Sequence, residues 1–168
     1  MKFTLESHKW IVDNKSLLGF VSVNIYECEI GLLNFEIKDL IEQGLLIDAH
    51  FARKIDFQAL PTSVYGPLEL DELESDDFIQ CDNVKLAECY TKYWSDKNWG
   101  SDLEVFKKHK TDVDDYLIQL DFTSDNHFFL CQEWLSEKKH VELNFFAYFV
   151  CVISISKNRI AVTTYGED

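Results

Sequence analysis

The segment Val141-Glu-Leu-Asn-Phe-Phe-Ala-Tyr-Phe-Val-Cys-Val-Ile-Ser-Ile-Ser156 alternates with period two. Val141, Leu143, Phe145, Ala147, Phe149, Cys151, Ile153 and Ile155 fall on one side, and Glu142, Asn144, Phe146, Tyr148, Val150, Val152, Ser154 and Ser156 on the other. Successive side chains of an extended chain point to opposite faces, so this period predicts a long strand. The second side is apolar in its middle, which places the strand inside a sheet covered on both faces. Ser156-Lys157-Asn158-Arg159 has the composition of a turn, and Ile160 to Tyr165 is rich in β-branched residues, so the chain is expected to return antiparallel.

Outward from this hairpin, Tyr116, Ile118, Leu120 and Phe122 alternate with Leu117, Gln119 and Asp121, and Thr123 to Asn126 separates them from His127-Phe-Phe-Leu-Cys131. That pattern predicts a second hairpin. Leu18 to Ile30 and Arg53 to Leu60 also have strand composition. Helical spacing occurs over Phe35–Leu45, where Ile37, Leu40, Ile41 and Leu45 share a face and Gly44 supplies a terminator. Asp82 or Asn83 is placed to cap a helix carrying Leu86, Cys89, Tyr90, Tyr93 and Trp94. Ser101 or Asp102 is placed to cap another with Leu103, Phe106 and Lys107. Strands cluster along the chain and do not alternate with helices. The expected fold class is therefore α+β: one domain over residues 1–168, mainly antiparallel sheet with a few packed helices. Pro61-Thr-Ser-Val-Tyr-Gly-Pro67 reads as a surface loop.

Thirty acidic against 16 basic side chains give a formal net charge of -14. Such a field repels phosphates and anionic lipid and accelerates encounter with basic surfaces, so neither nucleic acid nor membrane is expected as a direct ligand. The first ten residues lack the apolar core of a signal peptide, and the longest near-continuous apolar run, Phe145 to Ile155, is too short to span a bilayer. Cys28, Cys81, Cys89, Cys131 and Cys151 are odd in number and lack metal-ligand spacing, which fits a reducing cytoplasm. Cys28, Cys131 and Cys151 sit among apolar residues, as small hydrophobes do.

No pattern of recognisable chemistry stands in the chain. It lacks a Gly-x-Ser-x-Gly elbow, a glycine-rich phosphate loop and a convergent histidine motif, and Asp112-Val-Asp114-Asp115 lacks the glycine and the twelfth-position glutamate of a calcium loop. No catalytic residue, metal or cofactor is expected, and binding is the expected mode of action.

The residues that stand out are carboxylates. Glu69, Asp71, Glu72, Glu74, Asp76 and Asp77 are interleaved with Leu68, Leu70, Leu73 and Phe78, with no basic residue among them. Tyr93, Trp94 and Trp99 follow, and Asp112, Asp114 and Asp115 form a smaller acidic group. Carboxylates steer and pair with Lys and Arg, while Tyr and Trp are over-represented among residues that anchor interfaces. These twelve residues are the expected partner-binding set, the smaller acidic group extending the same face if its helix folds back beside the acidic run, and the expected partner is a basic protein.

In size, acidity and lack of catalytic motifs the chain resembles the bacterial immunity proteins that neutralise toxin domains, including those of contact-dependent inhibition systems. That resemblance implies a cytoplasmic inhibitor of a basic toxin, most naturally a nuclease domain. It covers general character and carries over no particular residue. An acidic nucleic-acid mimic, an anti-restriction protein or an adaptor is the alternative within the same physics, and an enzyme with an unfamiliar site is a third.

Overall fold

The computed structural model describes residues 2–12, 19–28, 36–46, 64–96, 99, 102–141 and 146–167. The hairpin at the end of the chain is its centre. We label the strands β1 (Phe3–Val12), β2 (Gly19–Cys28), β3 (Val64–Tyr65), β4 (Leu68–Glu69), β5 (Ile79–Cys81), β6 (His127–Cys131), β7 (Tyr148–Ser156) and β8 (Arg159–Glu167). The helices are α1 (Ile37–Glu42), α2 (Asn83–Ser95) and α3 (Asp102–Gln119). Six strands form one antiparallel sheet in the order β1-β2-β8-β7-β6-β5, and β3 and β4 form a separate two-residue ribbon. The fold is α+β, as the clustering of strands in the sequence implies.

Both faces of the sheet are buried. On the first, Val21, Val23, Ile25, Phe129, Tyr148, Val150, Val152, Ala161 and Tyr165 meet α2 and α3. On the second, Tyr26, Leu130, Phe149, Cys151, Ile153, Ile160 and Val162 meet α1 and the segment from Tyr65 to Phe78. The period-two pattern of β7 thus divides cleanly between two cores, with neighbours Phe149 and Val150 pointing into different ones. Asp82 caps α2 by accepting from the Lys85 amide at 2.8 Å. The capping box of α1 joins Glu36 and Asp39, and Gly44 follows at φ +65.

Three expectations are corrected. Residues 116–119 belong to α3 and not to a strand; Val113, Tyr116, Leu117 and Leu120 pack towards the first core at helical spacing, whereas Ile118 is 70% exposed. The helix ends in a Schellman motif: Asp121 takes φ +49, Phe122 N–H donates to Leu117 O at 2.9 Å and Asp121 N–H to Ile118 O at 3.0 Å. The Arg159 guanidinium satisfies the carbonyls of Leu120 and Asp121. β6 accordingly pairs with β5 and β7. Second, the described part of the expected surface loop Pro61–Pro67 is no surface loop, since Tyr65, Gly66 and Pro67 are buried; residues 61–63 lie outside the described residues. Third, β1 is an edge strand that the sequence reading missed; its Glu6 falls at a register break between Leu5 and Ser7, and most of its side chains are exposed or half-buried. The expected strand over 53–60 and the segment 142–145 lie outside the described residues.

Candidate functional site: an acidic shelf and an interhelical cleft

The acidic run lies against the second face of the sheet. Leu68, Leu70, Leu73 and Phe78 are all buried in that core, so the backbone between them is tied down every few residues. Two 3-10 turns, Leu70–Glu72 and Ser75–Asp77, fill the intervals. The second is held by a capping box in which the Glu74 amide donates to Asp77 Oδ2 at 2.8 Å. Asp71, Glu72, Glu74 and Asp76 are exposed, and Glu69 is half-buried.

One carboxylate is neutralised by a residue remote in sequence. Lys139, whose side chain is 6% exposed, donates to Asp77 Oδ2 at 2.5 Å and to Glu74 Oε2 at 3.3 Å. Asp77 is 14% exposed and Glu74 75% exposed, so Asp77 is the structural partner and Glu74 remains largely in water. Burial lowers the Lys139 pKa, but the hydrogen bonds and charges of Asp77 and Glu74 outweigh that and hold it above its ordinary value. Asp76 also lines a groove of about 550 Å³ with Glu36, Ile37, Ser75, Phe78, Gln80 and Phe128, so α1 continues the shelf.

The remaining expected partner residues lie on the other side of the sheet. Tyr93 is buried and donates to Glu133 Oε1 at 2.8 Å; Trp99 is buried, stacked on Phe106 at 5.5 Å; Trp94 is half-buried, with Lys107 over its ring. Asp112 and Asp114 pair with Lys108 and Lys110 one turn earlier on α3, and Asp115 is exposed. The single face expected from sequence is therefore two groups with the sheet between them. The physical reason is the helical stripe Leu86, Cys89, Tyr90, Tyr93, which turns the aromatics inward onto the first core.

A second feature was not foreseen. α2 packs over β5 and β6, and α3 over β1 and β2, so the helices diverge above the central strands. At one end Trp99, Phe106, Tyr148 and Tyr165 fill the wedge. At the other a cleft of about 470 Å³ remains, walled by Leu86, Ala87, Val113, Leu117 and Phe122 and floored by His127, Ser154 and Thr163. His127 and Ser154 face each other across β6 and β7, and the His127 Nδ1 to Ser154 Oγ distance is 2.8 Å. The other nitrogen, Nε2, lies 3.0 Å from Asn83 Oδ1.

The tautomer follows from Asn83. Its amide nitrogen donates to Ser124 O at 3.0 Å and Asp125 Oδ1 at 2.9 Å, leaving Oδ1 to accept. Nε2 of His127 therefore carries the proton, and Nδ1 accepts from the Ser154 hydroxyl. Burial pulls the His127 pKa below its ordinary 6.5, against the opposing effect of Asp125. A folded-state pKa below the unfolded one means that the unfolded chain takes up the proton first. The stability this neutral imidazole contributes is complete above about pH 6.5 and is lost as pH falls towards the depressed value. A titration of the His127 ring signals by NMR is expected to show its midpoint below 6.5; a midpoint above it would contradict the neutral tautomer. The sequence signal for this cleft was the interruption of apolar strand faces by Ser154, Thr163 and His127.

The Ser154–His127 pair is set by the register of the sheet. The serine lies within a regular strand, and its pairing with His127 is the ordinary cross-strand contact of directly opposed residues. Among the described residues no group of histidine, cysteine and carboxylate side chains is gathered to hold a metal, and no helix is long and apolar enough to cross a membrane. No protein-family model, curated protein or solved structure matches the chain.

Proposed function

We propose that this chain is an immunity protein that binds and neutralises a basic toxin domain, most naturally a nuclease, in the cytoplasm of the cell that carries it. The observation that supports the reading is the acidic shelf. Asp71, Glu72, Glu74 and Asp76 project from a backbone anchored by four buried apolar side chains, so their positions are set before any partner arrives. A loop kept only for solubility needs no such anchoring, whereas preorganised charge lowers the ordering cost of association. A nuclease has to present Lys and Arg to phosphate, and a rigid set of carboxylates competes for the same groups.

The proposal requires a toxin domain encoded beside this gene, and co-expression with it is the direct test: survival with binding supports the proposal, and toxicity unchanged by co-expression refutes it. Within that complex, Glu72→Lys combined with Asp76→Lys is expected to slow association by more than about tenfold at low salt, with the difference shrinking as salt rises. Stopped-flow association at two ionic strengths reads both; an unchanged rate would remove the shelf from the interface.

A further inference from the structure

The interhelical cleft lies on the opposite face of the sheet from the shelf, and its chemistry is different. Its walls are aliphatic and aromatic, while its floor carries buried hydroxyls. The floor also has a polarity. The Ser154 proton is committed to His127 Nδ1, so Ser154 Oγ offers only lone pairs to the cleft. A molecule that reaches this oxygen therefore pairs with it only through a donor, whereas the neighbouring Thr163 hydroxyl can donate or accept. Net charge is unwelcome, because an anion meets the strongly acidic protein and the Asp114 carboxylate at the mouth, and a cation would lose its water beside a neutral imidazole. Lys110 at the mouth is already paired with Asp114 and placed over the Tyr90 ring. The volume lies in the range of small-molecule sites, about 300–1,000 Å³.

We infer that the cleft between α2 and α3 binds a small uncharged molecule with an apolar body and one hydrogen-bond donor, which Ser154 Oγ accepts at the floor. Indole and benzofuran are matched probes, nearly the same in shape, with an N–H donor in the first and only a ring oxygen in the second. Both are titrated into the intact ¹⁵N-labelled chain. Indole is expected to shift the amides of Asn83, Ala87, Ser154 and Thr163 saturably. Ser154→Cys preserves the shape and a weak donor towards His127 but is a poor acceptor, so the ratio of indole to benzofuran affinity is expected to fall by about fivefold in that variant. Ala87→Trp, an exposed position on the cleft wall, is expected to block both probes. The inference is overturned if indole gives no saturable shifts, if the shifts map elsewhere, if the affinity ratio is unchanged in the Ser154 variant, or if a folded Ala87 variant still binds. Should the Ala87 variant not fold, the affinity ratio alone decides. None of these outcomes depends on the acidic shelf or its partner.

Discussion

Phe106→Ala is expected to lower the unfolding free energy by about 4 kcal/mol, the range for truncating a fully buried aromatic side chain. Phe106 is fully buried, and its ring meets Tyr90, Tyr93, Trp94, Trp99, Tyr148 and Tyr165 at centroid distances from 4.9 to 6.2 Å. These partners come from α2, the connection before α3, and the two central strands, so the ring is where α3 is keyed to the rest of the first core. Removing it leaves a cavity that no single neighbour can fill, because the surrounding rings are rigid and constrain one another. Urea unfolding at 25 °C measures the loss. A cost below about 1.5 kcal/mol would mean that the aromatic cluster relaxes around the gap and is not the keystone of that face.

Gly66→Ala is the second large effect, about 3 kcal/mol, and it acts on the opposite core. Gly66 turns the chain between β3 and β4 at φ +60, where a Cβ is disfavoured by roughly 1–2 kcal/mol. The added carbon would also stand 2.2 Å from Cε2 of Phe149, whose ring is buried at the centre of the sheet and packed edge-on against Tyr65 at 5.1 Å. Backbone and packing penalties combine, and a double-mutant cycle separates them. In a Phe149→Leu background the steric part should largely disappear while the left-handed backbone cost remains. If alanine costs the same in both backgrounds, Phe149 is not what restricts the site. Because Tyr65 to Leu68 leads directly into the shelf, loosening this turn should also raise amide exchange over residues 70–77.

What could be read from the sequence was set by whether a pattern has one physical explanation. β8 and α2, the latter announced by Asp82 followed by a helical stripe, stand where expected, but of the strand expected over Val141–Ser156 only Tyr148–Ser156 is β7: Val141, Phe146 and Ala147 are outside it, and residues 142–145 are not among those described. Tyr116 to Phe122 satisfies two periods: the even-numbered residues alternate as in a strand, and the set Val113, Tyr116, Leu117, Leu120 repeats as in a helix. The helix prevails because it already runs from Asp102 and buries that stripe on the first core. β1 was invisible because an edge strand needs no continuous apolar face: Thr4, Glu6 and Lys9 are exposed, with Glu6 3.6 Å from Arg159 and Lys9 over the Tyr116 ring.

The candidate site was legible in composition and not in placement. The acidity of residues 69–77 is local and survives folding, apart from Asp77, which is claimed by Lys139 from 62 positions away. Which face of a sheet an element covers depends on contacts between distant segments, so nothing local in Tyr93, Trp94, Trp99 or the α3 aspartates separates them from the shelf. The same holds for the cleft, whose lining joins residues 83, 127, 154 and 163 from four elements.

All five cysteines are buried as thiols, one each in β2, β5, α2, β6 and β7. Burial pushes the thiols of Cys81 and Cys151 up to about 12 and raises those of Cys89 and Cys131. A thiol reagent therefore reaches them only when the surrounding structure opens. The protein thus contains its own set of opening reporters, one in each of five elements. Mass-resolved labelling without any engineered probe would rank the elements by how often each separates from its neighbours, and would tell whether the two cores, on opposite sides of one sheet, come apart together or in turn.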